Sequence, residues 1–527
     1  MAGGLTRRQA LRAGAWVMAT AGAMSATTSC SSSETASSAR SSGPPRRGGT
    51  LRAAFVGGGA AETLNPYRGS TALDFSRARA LHASLGDLDP GAPEGVRYNV
   101  LSGIDIAPDL SRYTLRLRPG LTFSDGSKLT VRDVIYSLDY VARNATTPTY
   151  KLFAADFDLD AARVENDHTL VLPTSRPVTD GRTLLCFGTN LVFKEGTKEF
   201  TANMPTSGPF RLTEFEAGRG ATLVRNDNFR APGGKGPYLD GLELLSISDA
   251  EARLNALRGK QADFVHQLSP AQVRTLQGDT SMKITESRPP SVTALTFSLN
   301  MSALPFNDPR VRRAFKLAVD RQQILDTVLF GRGTLGNDLF SQGFPDYDRT
   351  IEQRPHDPDQ ARSLLRQAGA EKLSVTLTTG PELPGMVETA TLYAEQLKNI
   401  GVTVKLRELP AGQLFADPAA YARLPFVGNY GPPAPALLYY QITSGAGNPY
   451  AFGWNRPDID RKVVAARSTP GAKANALNHE IQRTLWDEGN AVIPVFKPDV
   501  SAQVPNLIGV EKGLFEQFPS FAEASLQ

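Results

Sequence analysis

Apolar and polar residues alternate along this chain with two different periods. From Tyr113 to Arg118 every second residue is apolar, which predicts a β-strand that ends at Pro119-Gly120. After Thr130 the apolar residues recur at helical spacing, which predicts a helix whose first turn is capped by Thr130 and Asp133. Segments of both kinds follow one another without a repeat of about 20–50 residues, so we expect a mixed α/β fold and not a repeat solenoid.

The same two patterns predict the other main elements. Strands are predicted at residues 49–56, 164–172, 293–300, 373–378 and 402–406, with a hairpin formed by 210–212 and 221–224. Helices are predicted at residues 387–400 and directly after four capping residues: Asp249, Asp308, Asp320 and Asp357. Two of these caps are followed by proline, which is favoured at the first position of a helix.

The N-terminal segment has the pattern of an export signal. Arg7 and Arg8 precede residues 13–29, which are uncharged and begin with a mildly apolar stretch. This order predicts a signal peptide over residues 1–29, and the paired arginines resemble a twin-arginine signal. The alternative is an amphipathic helix of the folded body, but the stretch is short and rich in Ala, Ser and Thr.

The segment ends at a cysteine that suggests lipidation. Thr27-Thr28-Ser29-Cys30 resembles a bacterial lipobox, in which the Cys thiol is acylated, although Thr27 stands where a large apolar residue is usual. Residues 30–47 are rich in serine and predict a flexible tether. We therefore expect an exported lipoprotein on the extracellular face of a membrane or in a periplasm. The alternative is cleavage at an Ala-rich site, which releases a freely secreted protein.

Composition narrows the class of protein. Of the 527 residues, 41% are hydrophobic and 21% are charged, which is typical of a soluble globular chain and excludes disorder throughout. The chain contains no run of about 20 apolar residues, so it is not expected to be a multi-span membrane protein. Three of the four net positive charges come from Arg7, Arg8 and Arg12, so the nearly neutral body disfavours nucleic-acid binding. Cys186 has no partner within the mature chain apart from Cys30, and its apolar flanks predict a buried thiol.

Two sequence patterns resemble nucleotide- or metal-binding motifs, but the residues around them do not fit such sites. Gly331–Gly336 has the spacing GxGxxG but follows a predicted helix, so it is interpreted as a helix-terminating loop. Asp156-x-Asp158-x-Asp160 resembles the start of a calcium loop, yet Ala161 stands where that loop needs glycine. The five histidines lack zinc-ligand spacing. We therefore expect no catalytic residues, no metal and no cofactor.

Several sequence blocks resemble one known family when they are taken in order. They are Gly48–Leu51, Thr63–Pro66, Tyr113–Gly126, Leu129–Val134, Ser207–Phe210, Leu223–Phe229, Pro305–Phe315 and Ala318–Arg321. Together they resemble the family 5 extracellular solute-binding proteins, which are the peptide- and nickel-type receptors of ABC importers. The resemblance covers residues 48–510.

This resemblance implies a two-lobed α/β clamshell of the periplasmic-binding-protein type (type II) with an extra subdomain. The implied divisions are lobe I at 48–66, 207–298 and 497–527, the extra subdomain at 67–206, and lobe II at 299–496. Such a receptor captures a peptide-like or other small solute in the interlobe cleft. Its implied partners are a membrane permease and an ATPase, and we expect a lipid-anchored monomer that is not an enzyme. Two alternatives stay open: an exported lipoprotein hydrolase, and a receptor of this fold that senses or chaperones without transport.

The resemblance also implies where the ligand binds. In peptide-binding relatives, an Asp within a motif like Ala-Asp-Tyr-Pro-Asp-Pro pairs with the peptide α-ammonium. The matching stretch here is Gly428–Pro433, in which Asn429 replaces that Asp and Pro432 replaces the second one. Asn carries no charge, so we expect weak binding of free-amine peptides. The candidate ligand-binding residues are Asn429, Tyr430, Phe426 and Lys497, and the alternative for Asn429 is an ordinary loop residue.

Overall fold

The computed structural model describes residues 43–527 except 70, 146–147, 444–448 and 513–518. The predicted signal peptide, Cys30 and most of the predicted tether lie outside these residues. Among the helices that the structure describes, none has both the length and the apolar character that a membrane crossing requires.

The larger of the two main sheets has seven strands. Their spatial order is Lys283–Glu286, Val500–Gln503, Phe264–Val265, Thr50–Phe55, Gly241–Ser246, Gly220–Arg225 and Phe210–Glu216. The central strand Thr50–Phe55 runs parallel to both of its neighbours. Its residues Leu51, Ala53 and Phe55 are buried in one hydrophobic cluster. The predicted hairpin is confirmed as the two strands at the sheet edge.

The second main sheet has six strands. Their order is Thr334–Leu335, Ala491–Pro498, Val292–Leu299, Phe426–Gly431, Ser374–Thr379 and Thr403–Glu408. All eight residues of the central strand Val292–Leu299 are buried, because apolar layers cover both faces of the sheet. The strand is antiparallel to both of its neighbours.

The helices begin largely where their capping residues predict. Helices occupy Ala72–Leu81, Val131–Asn144, Gly181–Leu185, Ala250–Arg258, Pro270–Thr275, Pro309–Ala318, Arg321–Val328, Pro358–Gln367, Met386–Lys398, Pro418–Ala422, Ala436–Thr443, Pro457–Arg467 and Ala472–Glu488. Short 3-10 turns occupy Gly59–Ala61, Pro148–Ala155, Pro232–Gly234 and Pro449–Ala451. The capping pair Thr130 and Asp133 is confirmed. So are the four predicted Asp caps, whose carboxylates accept backbone N–H groups of the first turn: Asp249, Asp308, Asp320 and Asp357.

A smaller sheet of four strands has the order Leu101–Ile106, Arg112–Leu117, Thr169–Pro173 and Arg163–Asn166. The prediction of a single strand over residues 164–172 is wrong, because the chain reverses between the last two strands. The Asn166 Oδ1 atom accepts the His168 N–H at 2.9 Å, a local bond that favours a turn. Three short strand pairs complete the described strands: Gly86–Leu88 with Val96–Tyr98, Leu507–Ile508 with Ser525–Leu526, and Glu511–Lys512 with Pro519–Ser520.

The motifs set aside in the sequence have structural roles. Gly331 follows helix Arg321–Val328 with a φ of 75°, which confirms the helix-terminating loop. Asp156 is fully buried and forms ion pairs with Arg176 and Arg467. Cys186 is fully buried as predicted, and this burial raises the pKa of its thiol.

Two short segments connect the main sheets. Residues 287–291 lead from strand Lys283–Glu286 into strand Val292–Leu299, and Asp499 leads from Ala491–Pro498 into Val500–Gln503. The Ser287 N–H donates to the Asp499 carbonyl at 2.9 Å, and the Asp499 N–H donates to Ser287 Oγ at 2.8 Å. The two connections therefore lie side by side, and we call them the hinge segments.

Candidate ligand-binding site

Both main sheets present strand ends at the edge that carries the hinge segments. In the six-stranded sheet, strands Ser374–Thr379, Phe426–Gly431 and Ala491–Pro498 run in one direction and end at this edge. In the seven-stranded sheet the three parallel strands around Thr50–Phe55 end there. Ligands of α/β sheets usually bind outside the carboxyl ends of strands. This edge is therefore the candidate site.

Asn429 lies in strand Phe426–Gly431, two residues before the strand ends at this edge. The alternative of a loop residue is therefore wrong. The side chain is 8% exposed, and its Nδ2 atom donates to Ser298 Oγ at 3.2 Å and to the Tyr421 hydroxyl. Its Oδ1 atom is buried and has no hydrogen-bond partner among the described residues. Leaving such an acceptor unpaired costs about 1–3 kcal/mol, so a ligand that donates to it would relieve this cost.

Tyr421, which contacts Asn429, belongs to a group of four rings. The group also includes Tyr430, whose side chain points to the opposite face of the strand from Asn429. The Phe415 ring lies 5.6 Å from the Tyr430 ring and 5.1 Å from the Tyr421 ring, and Tyr450 lies 5.7 Å from Tyr421. We call these four residues the aromatic wall. Burial raises the pKa of both the Tyr421 and Tyr430 hydroxyls, so these groups stay neutral at physiological pH.

Phe426 does not join this wall. Its side chain is fully buried and packs among four other rings, which belong to Phe297, Phe306, Phe315 and Tyr393. The ring therefore anchors the strand of Asn429 to the core, and in this conformation it has no surface that could meet a solute.

Lys497 lies on the other side of the central strand from Asn429. Lys497 is opposite Thr293, whereas Asn429 is opposite Thr296. Residues 293 and 296 point to opposite faces of the strand, and cross-strand neighbours share a face. The structure therefore does not bring the buried Lys497 side chain to the face that carries Asn429.

A narrow apolar gap lies beside the strand end and the first hinge segment. Its walls include Pro290, Phe340, Gly431, Tyr439 and Phe496, which lie too close together to leave room for a solute. The Phe340 and Tyr439 rings stack at 4.2 Å with an interplanar angle of 4°. A Cβ atom on Gly431 would lie 2.5 Å from Phe340 Cε1 and 2.7 Å from Tyr439 Oη. Glycine therefore allows the strand to end against these two rings.

Two carboxylates near this edge have partners. The Glu382 carboxylate accepts the backbone N–H groups of Gly412 at 3.0 Å and Leu414 at 3.1 Å, and burial raises its pKa. At the hinge, His266 Nε2 lies 3.2 Å from Asp499 Oδ2. The site as described offers neutral hydrogen-bonding groups and aromatic surface, which suits binding of a solute.

Sequence reasoning missed Ser298 and Tyr421. Tyr421 lies on the short helix Pro418–Ala422, eight residues before Asn429, and Ser298 lies 131 residues before it. No motif marks either residue, and the nearest sequence signal is the Asp417 cap of the short helix, which predicts the helix but not its contact with Asn429.

Comparison with known proteins shows which family this chain resembles. Residues 96–448 match the family model described as bacterial extracellular solute-binding proteins, family 5 Middle. The chain is 24% identical to the glutathione-binding protein GsiB of Salmonella typhimurium, with 85% of this chain and 89% of that protein aligned. It is also 24% identical to the dipeptide-binding protein of Escherichia coli, with 84% and 89% aligned.

Solved structures confirm the predicted fold. The dipeptide-binding protein from Pseudoalteromonas sp. SM9913, solved in complex with Met-Leu, superimposes with a TM-score of 0.79 at 16% identity. The superposition covers 91% of this chain and all of that one. The mixed α/β, two-lobed binding-protein fold is thus shared, and the family match extends over most of the chain. The protein belongs to the bacterial extracellular solute-binding proteins of family 5.

Proposed function

We propose that this substrate-binding receptor of an ABC importer captures its solute at the edge between the two main sheets, with Asn429 as a direct contact. The family acts outside the cytoplasmic membrane, in the periplasm or extracellular space, and works with a permease and an ATPase. The observation that carries the proposal is the buried, unpaired Oδ1 atom of Asn429 beside the aromatic wall.

The proposed ligand is peptide-like or another small solute without a free ammonium at Asn429. Relatives are named for glutathione and dipeptides, so a peptide-like backbone fits the family. Asn429 carries no negative charge, and a buried ammonium without a counter-ion is costly. N-blocked peptides, or neutral solutes with hydroxyl groups and an apolar face, match the amide and the rings better.

The other predicted site residues take different parts in this proposal. Tyr430 points to the opposite face of the strand from Asn429, so its ring contacts only a solute that extends around the strand end. Phe426 acts from the core by holding the strand of Asn429. Lys497 stays a candidate for a solute that extends to the opposite face of the central strand.

Export and anchoring complete the proposal. Residues 1–29 act as the signal peptide, Cys30 carries the lipid, and residues 30–47 hold a monomeric receptor near its permease. We take the lobe boundaries at the hinge segments, 287–291 and Asp499, instead of the expected 298/299 and 496/497, because strands Val292–Leu299 and Ala491–Pro498 both belong to the six-stranded sheet. Residues 67–206 stay the proposed extra subdomain. Two separate sheets joined by two hinge segments support a division into lobes.

The proposal is tested first by native mass spectrometry, which identifies a co-purifying solute. Calorimetric titration then compares the dipeptide Met-Leu with its N-acetylated form. We expect the acetylated form to bind roughly tenfold or more tightly, since a desolvated charged bond is worth about 1.5–3 kcal/mol. Asn429→Ala should weaken that binding, whereas Asn475→Ala, at an exposed position on helix Ala472–Glu488, should not. Tight binding of the free-amine form by the unmutated protein would contradict the proposal.

Transport is tested separately from binding. Cells that carry the matching permease should take up the identified solute only when the receptor is present. Solute binding without any effect on uptake would favour the sensing or chaperone alternative.

A further inference from the structure

Arg467 joins two parts of the molecule that are far apart in the sequence. It is the last residue of helix Pro457–Arg467, and its side chain is 3% exposed. The guanidinium donates from Nε to Asp180 Oδ2 at 2.9 Å and forms a second ion pair with Asp156. Asp156 also accepts from Arg176 Nε at 2.8 Å. We call these four residues the Arg467 cluster.

Backbone contacts surround the cluster. The Thr179 N–H and Thr179 Oγ1 both donate to the Arg467 carbonyl, at 2.7 and 2.8 Å. The Ser468 hydroxyl donates to the Pro177 carbonyl at 2.8 Å. The end of one helix is thus tied to residues 177–180, which follow the four-stranded sheet in the sequence.

Helix Ala436–Thr443 contacts both of these parts. Leu438, Tyr439 and Ile442 pack into the hydrophobic cluster of the four-stranded sheet. Ala436 and Tyr440 pack instead with the helices Pro457–Arg467 and Ala472–Glu488. The contact between the two parts therefore has an apolar portion and a charged portion, and both lie outside the hinge segments.

We propose that the Arg467 cluster is a latch that holds the four-stranded sheet against helix Pro457–Arg467 and opens when the lobes separate to admit solute. Its two arginines and two aspartates balance in charge. When buried ion pairs separate, the charged groups become hydrated again. This hydration offsets part of the free energy that is lost when the contact breaks. A purely apolar contact of the same area would expose apolar surface to water, which is unfavourable. The latch therefore sets the balance between open and closed forms without touching the solute.

The inference rests on the two-lobed fold and not on the identity of the solute, so a peptide that fails to bind leaves it unaffected. The test uses the full chain without ligand. Hydrogen exchange of the Thr179 amide reports whether the latch is open, and small-angle scattering gives the radius of gyration. Arg467→Ala is compared with Arg461→Ala, an exposed arginine on the same helix.

Arg467→Ala should speed Thr179 exchange roughly tenfold and raise the radius of gyration, while Arg461→Ala should change neither. Exchange in strand Val292–Leu299 should stay slow in both variants, which shows that the six-stranded sheet is intact. Faster Thr179 exchange with an unchanged radius of gyration would contradict the proposal, because the cluster would then stabilise only the local structure of residues 177–180. Unchanged Thr179 exchange would overturn it as well. If Arg467→Ala does not fold, Asp180→Asn is used instead, because it removes one charge of the cluster. The same changes in Thr179 exchange and in the radius of gyration are expected for it.

Discussion

The strongest test of the site is to restore the missing charge with Asn429→Asp. The two side chains have nearly the same shape, so packing against the aromatic wall should be preserved. The new carboxylate would accept from the Ser298 and Tyr421 hydroxyls, which lie beside the amide now. These two donors offset part of the cost of a charge at a position that is 8% exposed.

The expected gain follows from the chemistry of the new pair. A charge-assisted hydrogen bond between the carboxylate and a peptide ammonium is worth about 1.5–3 kcal/mol, which is roughly 10- to 150-fold in affinity. The gain should appear for free-amine Met-Leu and not for N-acetyl-Met-Leu, which has no positive charge to pair. It should disappear as the pH falls through the pKa of the new carboxyl, because protonation removes the charge.

Calorimetric titration of both peptides against both proteins measures this effect. Tyr421→Phe in the Asn429→Asp background is the matched control, since it keeps the ring and removes one donor to the carboxylate. We expect it to reduce the gain. Equal improvement for both peptides, or none for either, would refute the idea that position 429 faces the amine end of a peptide.

Three further predictions concern stability, the apolar gap and anchoring. Burial lowers the pKa of Lys316 to about 7, below its unfolded value, so this group makes folding more favourable as pH rises from about 7 to 10.5. The unfolding free energy of the wild type minus that of Lys316→Met should therefore increase by roughly 2–3 kcal/mol between pH 7.5 and 9.5, and a flat difference would contradict this. Gly431→Ala places a Cβ 2.5 Å from the Phe340 ring and should lower the unfolding free energy by about 1–3 kcal/mol, measured by denaturant titration, unless the stacked rings move without cost. Cys30→Ser should move the protein from the membrane fraction to the soluble fraction, and a wild type that is already wholly soluble would contradict lipidation.

The elements that could be predicted are those determined by residues close together in the sequence. Asp308 and Asp357 each stand before a proline and a helical apolar stripe, and both begin helices as predicted. The failure at residues 164–172 also has a local cause. Five consecutive polar residues, 165–169, separate Val164 from the apolar run that begins at Leu170, and the turn lies within them. The prediction of one strand disregarded this polar run because it contains no glycine or proline. The prediction therefore had the strand character right on both sides but missed the reversal.

The site was less predictable because its contacts join distant segments. Alignment of one motif identified Asn429, but its partner Ser298 lies 131 residues away on a neighbouring strand. The role of Asp156 depends on Arg467, which lies 311 residues away. The face that Lys497 occupies follows from strand register, which a sequence pattern does not supply.

The residues that identify the family and the residues that select the ligand are different sets. The matched blocks include helix caps such as Thr130 and Asp308, which act within a few residues of themselves and tolerate any solute in the cleft. In the proposed site, Asn429 stands where we expect an Asp in peptide-binding relatives, and it offers an uncharged amide in place of a carboxylate. A fold shared at 16% identity keeps its scaffold while the side chains that line its cleft are free to differ. If the proposed site is right, Asn429 and Tyr421 select the ligand, and the permease and ATPase with which the family works carry it across the membrane.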